Sequence, residues 1–480
     1  MIISNFIDGK FTPPIEERMM DNSNPADGKH IAMIPRASAL DVDAAVLAAQ
    51  RALPQWSALS MLERADWLDK IADALEDIKE EIAQTESLDT GKPISLARSV
   101  DATRSISNFR FFAKFARSQE PLIFEMSDAT NYVHTSPLGI VGLITPWNLP
   151  LYLLTWKVAP ALLMGNCIIA KPSELTPLTA DLLAQTMQRI QLPAGVFNLV
   201  HGLGPEVGQA ILEHPEIAGI SFTGGTATGR IVARTAAPLF KRLSLELGGK
   251  NATIILDDAN LDTVVAGSVR AAFTNSGQVC LCGSRILIHQ SIYDEFCKRF
   301  VEQVDAMKVG DPSDESTQMG SVISIDHLKK IESYIDLAIE EGGEILSGGT
   351  RAMTGQVGSN PAGAFIRPTV IGGLNHLSRT STEEIFGPVV TLHPFATDDE
   401  AIEMANCTEY GLAGSIWTED AERGKELAKR VDSGIVWVNT WLHRDLRTPF
   451  GGMKNSGVGR EGGRWSLSFF SEMTNVCVKH

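Results

Sequence analysis

Five consecutive β-prone runs end on residues that can do chemistry. IVGLIT near 140 leads into Thr145-Pro-Trp-Asn148, CIIA near 167 into Lys171-Pro-Ser-Glu174, and VFNLV near 196 into His201-Gly-Leu-Gly204. GISF near 219 leads into Thr223-Gly-Gly-Thr226, and RLSLEL near 242 ends at Glu246-Leu-Gly-Gly-Lys250. Ligands of an open α/β sheet gather at the carboxyl ends of its strands. An amide, a cation, two glycine turns and a carboxylate at such ends suit a dinucleotide site better than they suit packing. The most specific segment follows: Phe273-Thr-Asn-Ser-Gly-Gln-Val-Cys-Leu-Cys-Gly-Ser-Arg285 sets Cys280 straight after a polar, glycine-containing turn and ahead of a strand. The thiolate is the nucleophilic form of cysteine, and a thiol with a pKa of about 8.5 is mostly protonated at neutral pH unless its site assists. Cys282 competes for the thiol role, because in an extended segment it faces the same side. Taken singly, each residue has a plainer reading: cysteine as a small buried hydrophobe, glutamate or asparagine as a cap or turn residue.

The elements that must position these residues are legible in outline. Neither glycine turn has the GxGxxG spacing of the usual dinucleotide fingerprint. Gly202-Leu-Gly204 with Gly208 reads equally as a tight turn into a helix. Thr223-Gly-Gly-Thr-Ala-Thr-Gly229 places two glycines at a predicted helix start, where free N–H groups and the helix dipole favour a phosphate; turn and phosphate site both stay open. The five runs, spaced by helix-length segments, predict a parallel sheet covered by helices. A second alternation, with RILIH near 285, VVTLHPF near 389, GSIWT near 414 and GIVWVN near 434, predicts a second α/β domain. The first 120 residues read mainly as helices, with a capping box at Ser60-Met-Leu-Glu63 and helical spacing of Leu68, Ile71, Leu75, Ile78 and Ile82. Leu149 to Ala170 is apolar enough to raise a membrane question, but Pro150, Lys157, Pro160 and Gly165-Asn166 break it into a buried helix and a buried strand.

Composition narrows the class. A chain of 480 residues, 44% apolar, exceeds what one core usually organises. Its 42 Lys and Arg against 58 Asp and Glu, a net charge of -16, argue against nucleic acid or anionic membrane as partner. Six cysteines without a CxxC pair predict neither a zinc site nor a disulfide framework, and so no metal and a reducing, cytoplasmic setting. The amino terminus, MIISNFIDGKF, shows no signal or transit pattern.

Over essentially its whole length the sequence resembles the aldehyde dehydrogenase superfamily. The resemblance rests on TPWNLP, KPSE, SFTGGT, LELGGK, GQVC, EEIFGPVV and PFGGMKNSGVGRE in the family's order. It implies that Cys280, selected over Cys282 by the GQxC pattern, is the nucleophile, Glu246 the general base and Asn148 an oxyanion donor. It implies NAD as cofactor, with Lys171 and Glu174 at the adenosine ribose and Phe222, Gly224 and Gly225 near the pyrophosphate-bearing helix. Glu384 and Phe386 would then hold the nicotinamide end, and Pro146, Trp147, Gly204, Gly208 and Leu247 would complete the cofactor site. A carboxylate at the ribose, Glu174, favours NAD over NADP. Gly225 departs from the family, which commonly has serine there. The implied fold is α/β: a Rossmann-like NAD-binding domain at 1–119 and 138–247, and a catalytic domain at 248–454. A small β oligomerisation element at 120–137 and 455–480 would make a homodimer or homotetramer.

Two arginines suggest the substrate. Arg104 in RSISNFRFFAKFA and Arg444 in WLHRDLRTPFGG could grip a carboxylate. With NLPLYLLTWKVAPAL and CLCGSR, these segments look like the branch of the family that oxidises 2-aminomuconic and 2-hydroxymuconic semialdehydes, in which the matching arginines bind the substrate's carboxylate end. Rival expectations are a broad or betaine-type aldehyde dehydrogenase, a CoA-acylating enzyme, a non-catalytic protein reusing the fold, and arginines that serve only as structural ion-pair partners.

Overall fold

The computed structural model describes residues 1–352 and 363–480. Its architecture follows from runs that are apolar on both faces. Ile140–Ile144 (β1) and Cys167–Lys171 (β2) are buried at every position, as expected of strands with helices on both sides. Phe197–Leu199 (β3), Ile217–Thr223 (β4) and Arg242–Glu246 (β5) join them in the parallel order β3-β2-β1-β4-β5. The strand order therefore reverses between β1 and β4, where a ligand crevice forms in such sheets. Register matters as much as order. Ile144 lies opposite both Lys171 and Phe222, and Thr223 lies opposite Glu246, so the strand ends that carry candidate site residues are level.

A second sheet holds Ala252–Ile255 (β6), Arg285–His289 (β7), Thr369–Gly372 (β8), Val389–Phe395 (β9), Ala413–Trp417 (β10) and Ile435–Val438 (β11). These lie in the parallel order β8-β9-β7-β6-β10-β11, with Glu344–Ser347 antiparallel at the β8 edge. Only residues 247–251 separate β5 from β6, so the chain crosses from one sheet to the other just past Glu246. Apolar clusters line both faces of this second sheet, and a larger one fills the first domain.

Several local expectations hold. Ser60 and Glu63 form the capping box of helix Met61–Glu76. Leu68, Ile71 and Leu75 are its buried face, while Ile82 belongs to the next helix, Lys79–Thr90. Leu149 to Ala170 is a buried helix, Pro150–Leu163, followed by β2. Among the described residues no helix is long and apolar enough to cross a membrane.

Two expectations change. The first 35 residues are strands, not helices: Asn5–Ile7 and Lys10–Thr12 pair across Asp8-Gly9, both at positive φ. Met19–Ser23 pairs with His30–Pro35. Asp-Gly between short apolar runs is a hairpin signal, and the helical reading of this region overlooked it. The expected small element also begins later than 455. Gly457–Val458 pairs with Leu245 and Glu246 at the edge of the first sheet, and helix Gly463–Phe469 packs on helix Pro150–Leu163. Only Ser471–Lys479 pairs with Ala129–Pro137, whose other edge is Leu122–Glu125. The reason is that the Leu247 N–H needs an acceptor beyond the end of β5 and takes the Ser456 carbonyl at 2.9 Å.

Candidate active site

Cys280 sits in a turn whose backbone is costly to form. Asn275 and Ser276 have φ of 55°, and Gly277 has φ of 70°. A Cβ at Gly277 would lie 2.2 Å from the Gly387 carbonyl oxygen, so the cysteine turn rests directly on the segment that carries Phe386. From the crossing segment, Asn251 donates its amide to the Cys280 carbonyl at 2.7 Å and to the Cys282 carbonyl at 2.9 Å. The segment is thus a turn and not extended, with β7 beginning only at Arg285. Cys280 is half-buried against a cavity, while Cys282 is buried and points its Sγ toward the Thr274 carbonyl. The premise that both thiols share a face fails because the chain is curled there.

Asn148 follows β1 and is buried. Its amide donates to the Gln278 carbonyl at 2.9 Å, which leaves one amide hydrogen for a ligand. Glu246, the last residue of β5, is buried with no hydrogen-bond partner on either carboxylate oxygen. A Cβ at Gly451 would come within 2.8 Å of Glu246 Oε1, so only glycine leaves that carboxylate its place. Burial, and then the Glu461 carboxylate, push the Glu246 carboxyl well above its ordinary range, against the opposing charges of Lys157, Arg460 and Arg444. Glu461 is itself held by the buried Lys157 ammonium at 2.6 Å. Burial and the carboxylates of Glu246 and Glu384 also push the Cys280 thiol up, with Arg444 opposing. A thiol in this setting needs either a base or a bound positive charge before it can attack.

One cavity of about 560 Å³, a size suited to a small molecule, gathers these three residues and most of the others expected from the sequence. Arg104 and Arg444 line it, as do Pro146, Trp147, Gly224, Gly225 and Leu247. Glu384 and Phe386 complete one wall. Glu384 accepts the Gly249 N–H at 2.8 Å, and a side chain at Gly248 would collide with it. Phe386, at φ 60°, has its carbonyl bonded by His327 Nε2 at 2.7 Å, and the Trp147 ring meets the Phe386 ring edge-on at 5.3 Å. Burial pushes His327 down to about 4, so at neutral pH the ring is uncharged and Nε2–H donates.

Lys171, Glu174, Phe222, Gly204 and Gly208 lie outside the cavity wall. Lys171 is buried at the end of β2 and pairs with Glu174 at 3.2 Å. Gly204 and Gly208 bound a short π-helical turn after β3, with Gly208 against the Lys171 stem. Phe222 is buried beneath Gly224, where a Cβ would strike its ring at 2.5 Å. These residues continue along the strand ends away from Cys280, in the direction a dinucleotide would extend. Gly225 caps helix Thr226–Ala236, and a Cβ there would meet only open space. Beside it the buried Thr223 Oγ1 has no partner, and at the end of β3 His201 Nε2 is likewise unpaired. Open backbone at a helix start, with an unpaired polar atom beside it, fits a bound pyrophosphate.

Sequence reasoning missed Tyr152, Trp156 and Phe450, which hold Arg444. The guanidinium donates to Tyr152 Oη at 2.8 Å and lies 4.9 Å from the Trp156 ring centroid and 4.1 Å from that of Phe450. The i, i+4 spacing of Tyr152 and Trp156 placed them on one helix face and could have found them. His327, Arg270 and Glu461 also line the cavity; Glu461 closes the PFGGMKNSGVGRE motif, whereas His327 and Arg270 carry no local signal in the sequence.

The aldehyde dehydrogenase family model matches residues 11–476. 2-Aminomuconic semialdehyde dehydrogenase of Homo sapiens is 46% identical over 482 residues, covering 100% of this chain and 99% of its own. 2-Hydroxymuconic semialdehyde dehydrogenase of Pseudomonas sp. (strain CF600) is 44% identical over 484 residues, covering 99% of each. Among solved structures, PnpE from Pseudomonas sp. WBC-3 in complex with nicotinamide adenine dinucleotide has a TM-score of 0.96 at 41% identity, covering 100% of this chain and 98% of that one. An NAD+ complex of aldehyde dehydrogenase from Bacillus cereus has a TM-score of 0.96 at 36% identity, covering 100% and 97%.

Three variants test this geometry. Gly277→Ala should destabilise the protein, by about 1–2 kcal/mol for the left-handed backbone and about 1–3 kcal/mol for the clash with Gly387, read as a lower midpoint in urea. If Glu246 acts as a base, turnover rises with pH through its raised pKa, on a limb above the ordinary carboxylate range. Glu461→Gln removes a charge that raises that pKa and leaves Lys157 unneutralised, so a pH–rate profile should show the limb displaced to lower pH. Glu246→Gln should abolish the limb and cost about 10²–10⁴ in turnover.

Proposed function

The chain belongs to the aldehyde dehydrogenase family, and on that premise we propose that its substrate is a carboxylate-bearing semialdehyde of the 2-hydroxymuconic or 2-aminomuconic type. It is an NAD-dependent aldehyde dehydrogenase, converting an aldehyde to a carboxylic acid. The observation that carries the substrate reading is a pair of guanidiniums without counter-ions. Arg104 and Arg444 both line the cavity, and among the described residues neither pairs with a carboxylate. Arginines that served only as ion-pair partners would have such partners. Arg444 is pinned by aromatic rings and a hydroxyl, a setting that holds its fork for a bidentate carboxylate. A cationic substrate such as betaine aldehyde would instead meet two like charges.

In this reading Cys280 Sγ attacks the aldehyde carbon, and the oxygen gains the charge. The free amide hydrogen of Asn148 and the Cys280 backbone N–H stabilise that oxyanion, at about 3–4 kcal/mol per donor. Trp147, Gly224, Gly225, Glu384 and Phe386 would hold the cofactor end of the cavity, where bound NAD would supply the hydride acceptor and a positive ring near the thiol. Glu246 then deprotonates the water that hydrolyses the thioester; a base kept beside the thiol supports hydrolysis over transfer to a thiol such as CoA. Glu174 at the end of β2 supports NAD over NADP.

The same reading treats the first sheet as the NAD-binding domain and the second as the catalytic domain. A cytoplasmic setting rests on six free thiols. Self-association into a homodimer or homotetramer is assigned to the three-stranded sheet, where Leu122, Ile123, Phe124, Met473 and Val476 are exposed apolar side chains.

With 2-hydroxymuconic semialdehyde as substrate, Arg104→Ala or Arg444→Ala should lower kcat/KM by about 10–100-fold, the loss of a charged hydrogen bond worth about 1.5–3 kcal/mol. A short neutral aldehyde should be oxidised nearly as before. Better turnover of neutral or cationic aldehydes by the unaltered enzyme would end the substrate reading while leaving the family chemistry in place. Phe124→Glu should shift the protein to a smaller species on size-exclusion chromatography.

A further inference from the structure

Asn148 is held from behind by a charged group that the chemistry above does not use. Helix Lys79–Thr90 ends on Gly91, at φ 74°, and Lys92 then turns inward. Its ammonium, with the side chain only 1% exposed, donates to Asp101 Oδ1 at 2.8 Å and to the Asn148 backbone carbonyl at 3.0 Å. Glu86, fully buried, stands 3.8 Å from the same nitrogen. The Asn148 carbonyl takes a second bond, from Asn275 Nδ2 at 3.0 Å, and Asn275 belongs to the positive-φ turn that precedes Cys280. The Asn148 side chain is tied to the same turn through the Gln278 carbonyl.

Three bonds therefore fix Asn148, two at its peptide oxygen and one at its amide. The amide bond spends one hydrogen, so the direction of the other depends on how the peptide plane is set. Lys92 supplies the one charged contact of the three, in a buried setting where such bonds are strong. An ammonium is costly to bury, and Asp101 offsets that cost at the place where the ammonium reaches the carbonyl.

We propose that Lys92 is a positioning residue for the oxyanion: anchored on Asp101, it fixes the Asn148 peptide so that the remaining amide hydrogen of Asn148 points at the oxygen that becomes charged when Cys280 attacks. This rests on the reading of Asn148 as an oxyanion donor. Misplacement of a catalytic group by about 1 Å can cost about 10²-fold in rate.

A double-mutant cycle tests it, in the full-length enzyme with NAD and a short neutral aldehyde. Asn148→Ala should lower kcat/KM for the aldehyde by about 10²–10³. Lys92→Met should lower it by about tenfold or more, with the affinity for NAD unchanged. The double variant should be no worse than Asn148→Ala alone, because alanine has no amide to aim. If Lys92→Met does not fold, Asp101→Asn, which keeps the ammonium and weakens its anchor, goes through the same cycle. Losses that multiply in the double variant overturn the proposal, since they mean that Lys92 acts apart from Asn148. Asp101 also lies in the π-helical turn Ala97–Ala102 that leads into Arg104. A variant that changed only the preference for anionic over neutral aldehydes would therefore assign the pair to Arg104 and overturn the proposal. If Asn148→Ala leaves kcat/KM intact, the oxyanion reading itself fails, which the first arm of the cycle shows by itself.

Discussion

The parallel register of the first sheet is the constraint on which the site depends. Backbone hydrogen bonds between β1, β2, β4 and β5 place Ile144, Lys171, Phe222 and Leu245 at one level, with Thr223 and Glu246 paired one residue beyond. A slip of one residue in any strand would turn its terminal side chain to the opposite face of the sheet. The reversal of strand order between β1 and β4 then opens the crevice at that level, and the loops carrying Asn148 and Gly224 are the two that border it. Position along the strand, more than any single contact, decides which side chains face the cavity.

The second sheet's segments meet this edge where glycines leave room for carboxylates. A Cβ at Gly248 would meet the Glu384 carboxylate and one at Gly451 the Glu246 carboxylate, while within the second domain Gly277 gives way to the Gly387 carbonyl. Asn251, in the short crossing between the sheets, grips the carbonyls of both Cys280 and Cys282. The thiol is thus referenced to β5 through five residues of chain and two hydrogen bonds, although its own strand belongs to the other sheet. Small residues at the junction let segments of the two sheets approach within bonding distance of one another.

Charge inside the cavity is arranged in opposition. Buried carboxylates at Glu246 and Glu384 raise the thiol's pKa, while Arg444 lowers it, and Glu461 and Lys157 act with opposite sign on Glu246. An acidic chain, at net charge -16, keeps Arg104, Arg270 and Arg444 in this one place without an ion pair among the described residues. In a medium of reduced dielectric each of these groups is felt strongly by its neighbours, so the reactivity of Cys280 is a property of the set.

The sequence by itself determined the sheet's strands, the helix of Pro150–Leu163 and the family, because these are carried by residues close together in the chain: apolar runs, a capping box, and motifs of four to thirteen residues. Through those motifs it also named Asn148, Glu246, Cys280, Glu384 and Phe386, which meet in the cavity. It did not show the Asp-Gly hairpin for what it is, although the local signal was present, and it left open whether Cys280 and Cys282 share an extended face, which the turn following three successive positive-φ residues, Asn275 to Gly277, decides. Tertiary structure alone decided what lies between distant segments. Lys157 and Glu461 are 304 residues apart, Lys92 and the Asn148 carbonyl 56, and Arg444 and Tyr152 292. No periodicity or spacing links such pairs; they meet because the register of one sheet and the packing of two domains bring them together, and the low dielectric of the interior then makes the meeting count.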